Sequence, residues 1–100
     1  MTGTEFESKL LGSTVSVVYF WSTNCQICKH FGPSIESTMK RRGIALLKVN
    51  VGSEQDVALH YNVLGLPTLI FFRNGLEELR LTASSISIAE IEKACERIIV

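Results

Sequence analysis

The sequence predicts an α/β fold, and three observations point to it. Helical and strand patterns follow one another in the order α-β-α-β-α-β-β-α along 100 residues. The segment Val15–Trp21 is apolar without alternation, which suits a strand covered by helices on both faces, and Ile44–Val51 reads as a second buried strand. An Asn74-Gly75 pair between apolar stretches signals a tight hairpin, so the sheet is expected to be mixed and to hold about four strands.

Each element has a local cause. Thr4-Glu5-Phe6-Glu7 has the form of a capping box, and Phe6, Leu10 and Leu11 continue it as a short helix stopped by Gly12. After the strand Val15–Trp21 comes a polar loop, Ser22-Thr23-Asn24. A helix then begins near Cys25, with Ile27, Phe31, Ile35 and Met39 at every fourth position. Pro33 is expected to bend it, since proline lacks an N–H and crowds the carbonyl of Lys29. Lys40-Arg41-Arg42-Gly43 reads as its end: cations suit the negative pole and glycine the position after it. The strand Ile44–Val51 returns parallel to the first through a right-handed crossover. Ser53 is the expected N-cap of a short helix with Val57, Ala58 and Tyr61 on its apolar side. Leu66–Phe72 is a third strand with Pro67 at its mouth, and Glu77–Leu81 is its hairpin partner. Ser87-Ile88-Ala89-Glu90 is another capping box, opening a helix whose buried face is expected to carry Ile88, Ile91, Cys95 and Ile98.

Composition narrows the function. Forty-six per cent apolar and 20% charged residues are ordinary for a globular chain, read here as one domain over residues 1–100. Ten basic residues balance ten acidic ones, so neither nucleic acid nor an anionic membrane surface is an expected partner. No apolar run reaches the roughly 18 residues of a membrane span, and Met1–Leu11 lacks the apolar segment of a secretory signal. Three cysteines are too few for a disulfide-stapled scaffold and suit a reducing compartment. A cytoplasmic location is therefore expected, with any disulfide being transient chemistry.

Cys25-Gln26-Ile27-Cys28 is the informative tetrapeptide. Two cysteines three apart on a helix share a face, with Cα atoms about 5–6 Å apart, inside the window a disulfide demands. Cys25 falls in the opening turn, where unpaired N–H groups and the positive pole stabilise a thiolate. Cys28 lies one turn deeper. That asymmetry makes Cys25 the group that attacks a substrate disulfide and Cys28 the one that resolves the mixed disulfide. A structural zinc site usually takes four ligands, and His30, His60 and Cys95 are poorly placed to complete one, so no metal is expected. Cys95 reads as a buried apolar cysteine.

With these residues in place the chain resembles the thioredoxin family. Val18-Tyr19-Phe20-Trp21 before the motif, Lys29 after it and Pro33 five residues past Cys28 follow the family pattern. So do Lys48-Val49-Asn50-Val51, Gly65-Leu66-Pro67-Thr68 and Phe72-Arg73-Asn74-Gly75, and the similarity runs from residue 4 to 99. The resemblance implies the thioredoxin fold, a central mixed sheet flanked by helices on both faces. It also implies reduction of protein disulfides by a monomer without a bound cofactor, fed by a thioredoxin reductase or another dithiol donor. Pro67 matches the family's cis-proline, and Leu66 would offer its backbone to an extended substrate. Asn24, Gln26, Ile27, Ala83 and Ser84 would complete the substrate surface, with Trp21, Tyr19, Lys48 and Pro33 in support.

The departures from the pattern are informative. The family motif is usually Trp-Cys-Gly-Pro-Cys, whereas Asn24 and Gln26-Ile27 stand here. Ile27 brings an N–H that proline lacks, which favours the thiolate and hence a more oxidising protein. Tyr19 occupies the place of a buried aspartate that helps to deprotonate the second cysteine, and a phenol is a poor base at neutral pH. Lys48 is expected to lack its family partner. Ala83-Ser84 replaces a glycine and narrows the groove. A specialised oxidase, an isomerase, a partner-specific redox protein and a non-catalytic binding module of the same fold are the competing expectations.

Overall fold

The computed structural model describes residues 14–99, so the helix expected over Thr4–Gly12 lies outside the described residues. The strands are β1 (Val15–Trp21), β2 (Ala45–Asn50), β3 (Thr68–Arg73) and β4 (Leu76–Thr82). The helices are α1 (Gln26–Arg42), α2 (Gln55–His60) and α3 (Ile88–Ile99), with a 3-10 turn at Ala83–Ser85. The sheet order is β2-β1-β3-β4, with β1 parallel to β2 and antiparallel to β3, and β3 antiparallel to β4.

Alternation along the strands divides the core in two. Val17 and Tyr19 of β1 and Leu69 and Phe71 of β3 pack with Cys28, Ile35 and Met39 of α1 and with Ile91, Ala94, Cys95 and Ile98 of α3. Val18, Phe20, Ile70 and Phe72 face the other way, onto Val57 and Ala58 of α2. The expected mixed sheet with helices on both faces is therefore present. Asn74 and Gly75 both take positive φ (52° and 80°), as a type I′ hairpin turn requires. Gly43 ends α1 at φ 67°, its N–H bonded to the carbonyls of Lys40 and Met39. The helix runs through Pro33.

Three expectations are corrected. Strand β2 is not buried on both faces: it is the outer strand of the described sheet, and of its residues only Val49 is fully buried. Ser53 does not cap α2; Glu54 occupies that position, while Ser53 Oγ donates to the Asn50 carbonyl. Asn50 Oδ1 also accepts the Gly52 N–H, so the side chains here build a turn rather than a helix start. Ile88 is 47% exposed, and Ala94 takes the buried place on α3 instead, because the helix meets the sheet along Ile91, Ala94, Cys95 and Ile98. Ile27, at the head of the α1 stripe, is exposed.

Ile35 is fully buried between α1 and the sheet. Ile35→Ala should lower unfolding free energy by about 2–5 kcal/mol in urea titration, whereas truncating the exposed Leu64 should change it by no more than about 0.5 kcal/mol.

Candidate active site

Strand register gathers the candidate residues at one end of the sheet. Phe20 pairs with Thr68, and Thr68 with Thr82. The end of β1, the start of β3 and the end of β4 are therefore neighbours. From this edge emerge the loop to Cys25, the Leu66-Pro67 segment and the turn carrying Ala83 and Ser84.

The loop after Trp21 closes on itself. The Asn24 N–H donates to Ser22 Oγ and the Cys25 N–H to the Ser22 carbonyl, at 3.3 and 3.2 Å. Cys25 then stands with extended φ,ψ (−96°, 105°) as the N-cap of α1, just before the opening turn in which it was expected. Its sulfur does the work that serine, threonine or aspartate usually does: Sγ accepts the Cys28 N–H at 3.1 Å. The first turn carries no acidic side chain, so this sulfur has the positive helix pole to itself.

Cys25 and Cys28 form a disulfide with Cα atoms 5.2 Å apart, within the spacing expected of two cysteines on one helical face. Their surroundings differ. Cys28 is 2% exposed in the core between α1 and the sheet, whereas Cys25 is half-buried and packs against that cluster from outside with Trp21 and Leu66. Asn24, Gln26 and Ile27 are exposed around it, and Ile27 is an apolar side chain open to solvent. The Leu66–Pro67 peptide is cis, Pro67 is buried, and Thr68 Oγ1 donates to the Gly65 carbonyl at 2.7 Å. Ala83 and Ser84 are exposed in the 3-10 turn, which Thr82 and Ser85 cap reciprocally.

Behind Cys28 the site is polar. The Tyr19 hydroxyl donates to the Cys28 carbonyl at 2.5 Å. Burial, followed by the nearby Glu36 charge, pushes the Tyr19 phenol up to about 12. Lys48 pairs with Tyr19 across β1 and β2, and its ammonium forms an ion pair with Glu36 of α1. Lys48 thus lacks the strand carboxylate, as expected, and takes one from the helix instead. Glu36 was missed in the sequence, although Cys28, Gly32 and Glu36 recur every fourth residue along one flank of α1. With Tyr19, Trp21, Pro33 and Lys48 these residues line a cavity of about 170 Å³.

Cys95 stays apart, fully buried beside Met39 (Sγ to Sδ 3.9 Å), and burial pushes its thiol up. His30 is exposed against the edge of Phe31 and joins neither thiol.

Known proteins resemble this chain in sequence and fold. The thioredoxin family model matches residues 1–96. A thioredoxin of Echinococcus granulosus is 36% identical over 76 residues, covering 75% of this chain and 71% of that protein. One from Acetoanaerobium sticklandii is 30% identical over 97 residues, covering 94% of this chain and 92% of its own length. Among solved structures, reduced Schistosoma mansoni thioredoxin superposes with a TM-score of 0.88 at 27% identity, over 97% of this chain and 91% of that one. A thioredoxin variant of Halobacterium salinarum gives 0.89 at 23% identity, over 98% and 87%. With a sulfur-capped helix, a cysteine pair at disulfide spacing and this agreement along nearly its full length, the chain belongs to the thioredoxin family.

Proposed function

We propose that this thiol–disulfide oxidoreductase reduces protein disulfides with Cys25 as nucleophile and Cys28 as resolving thiol. The observation that carries the assignment is the N-cap position of Cys25. A sulfur that accepts a backbone N–H at the positive helix pole is favoured as a thiolate, while the buried Cys28 is favoured as a thiol. The Cys25 thiolate attacks a substrate sulfur and the partner sulfur leaves. Cys28 then attacks Cys25, closing the protein disulfide and releasing the second substrate thiol.

Leu66 and Pro67 form the wall along which an extended substrate lies, bonded to the Leu66 backbone as an added strand. Asn24, Gln26, Ile27, Ala83 and Ser84 make the rest of that surface; all five are exposed at the same end of the sheet. Electrons come from a flavin-dependent reductase or another dithiol protein in a reducing cytoplasm, the compartment to which three cysteines and one buried free thiol are suited. The working form is a monomer. Charged side chains support this, since Lys48 on β2 and Glu77, Glu78 and Arg80 on β4 guard the outer strands of the described sheet.

In the insulin-reduction assay the protein should accelerate precipitation above dithiothreitol alone and lose that effect as Cys25→Ser; no acceleration would mark a binding module. Cys28→Ser should accumulate mixed disulfides through Cys25. In glutathione buffers a net reductant shows a midpoint below about −220 mV, and a midpoint above about −180 mV would identify the oxidase alternative.

Tyr19 supplies a pH prediction. Its phenol is raised from 10.0 to about 12 in the fold, so the neutral form is favoured there. The associated stability is complete below pH 10 and is lost as pH rises towards 12, by about 3 kcal/mol in all. Denaturation of Tyr19→Phe, which has no phenol to ionise, should show its stability deficit against the parent protein shrinking across that window.

A further inference from the structure

Release of substrate requires Cys28 to lose its proton as it attacks, and Tyr19 does not take it: its hydroxyl is already a donor, to the Cys28 carbonyl. We propose that Glu36 is the positioning carboxylate that draws off the Cys28 proton, through water in the cavity the two residues share. The inference rests on the roles assigned above to Cys25 and Cys28.

Three observations carry it. Among the described residues, Glu36 is the one carboxylate lining the cavity that reaches Cys28. At about 170 Å³ the space admits several water molecules, and Glu36, Lys48, Lys29 and Tyr19 bring polar groups to a lining that is otherwise apolar. Glu36 and Lys48 are half-exposed (49% and 48% at their side chains), so the side of the cavity that they line meets solvent. The Glu36 charge also reaches the Tyr19 hydroxyl, which touches Cys28's own carbonyl. The titratable and charged groups facing Cys28 are Cys25, Lys29 and Glu36 from α1, Tyr19 from β1 and Lys48 from β2. Two of these are fixed cations that stabilise a thiolate once formed, and only Glu36 can accept its proton as a carboxylate.

The step balances. Cys25 Sγ begins bonded to a substrate sulfur. The Cys28 S–H proton passes through water to Glu36, and the thiolate left behind forms the Cys25–Cys28 bond. The bond from Cys25 to the substrate breaks, its electron pair leaves with the substrate sulfur, and that sulfur takes up a proton returned by Glu36 through solvent.

Dithiobis-nitrobenzoate separates the two half-reactions. Reduced protein releases one coloured thiolate when Cys25 attacks and a second when Cys28 closes on Cys25; buried Cys95 does not contribute. In Glu36→Gln the first phase should keep the wild-type rate while the second slows roughly tenfold at pH 7. That deficit should close above about pH 9.5, where hydroxide suffices to ionise a thiol. Glu36→Asp should recover part of the rate. Lys48→Met breaks the same ion pair but keeps the carboxylate, and its second phase should be faster than that of Glu36→Gln. An unchanged second phase in Glu36→Gln, a deficit that persists at high pH, or an equal loss in Lys48→Met would overturn the proposal. Absence of the first phase from Cys28→Ser would instead overturn the roles of the two cysteines.

Discussion

The bond from the Cys28 N–H to Cys25 Sγ is the interaction on which the site depends, and the whole domain fixes where it forms. A helix can begin wherever its first N–H groups find an acceptor. Here the start is pinned from both sides. Strand β1 is buried through five consecutive residues and cannot slide, so the loop after Trp21 has a set length in which to turn. Ile35 and Met39 seat α1 against the sheet, and Gly43 closes its far end. Cys25 is left as the residue that must cap, and its side chain happens to be one that chemistry can use.

The same packing gives the second sulfur an opposite environment. Burial favours the neutral thiol, which keeps Cys28 from competing for substrate but obstructs the step that frees the product. A proton acceptor is needed near it without filling the core with charge. Glu36 meets both conditions by standing on the flank of α1 at the solvent side of the cavity, where Lys48 balances it. A carboxylate at Tyr19 would lie 2% exposed at the centre of the sheet, and the phenol there instead donates a hydrogen bond to a carbonyl. Chain positions nineteen and thirty-six thus divide tasks that a single buried acid would combine.

Most of the architecture was legible in the sequence because its causes are local. The non-alternating apolar residues of β1, the positive-φ pair Asn74-Gly75 and the glycine after α1 each act within a few residues, and each is found as expected. The errors share a different origin. Whether β2 is central or outer depends on what lies beside it, and its own residues do not say. Ser53 had the right side chain for a cap, but Asn50 held the preceding turn. Ile88 obeys helical spacing yet is exposed, because α3 buries Ile91, Ala94, Cys95 and Ile98 instead. In the site, the cysteine pair was plain from its spacing. The Glu36–Lys48 pair was not, since it joins a helix to a strand twelve residues later and only the crossover brings them together.

The capping sulfur also sets a limit on what the enzyme can be. Every donor that stabilises the Cys25 thiolate stabilises the reduced protein, and so weakens it as a reductant while raising the fraction able to attack. Intrinsic nucleophilicity falls in parallel, so neither extreme serves a reductant well. The two residues between the cysteines adjust this balance because their N–H groups lie in the first turn. Ile27 enters it twice: its backbone adds a donor that proline would remove, and its exposed side chain offers apolar surface beside the reacting sulfur. The first effect moves the potential towards oxidation; the second increases the burial available from an apolar substrate. In the proposed function a substitution at Ile27 therefore shifts poise and recognition together, which couples the direction of electron flow to the choice of partner at a single position.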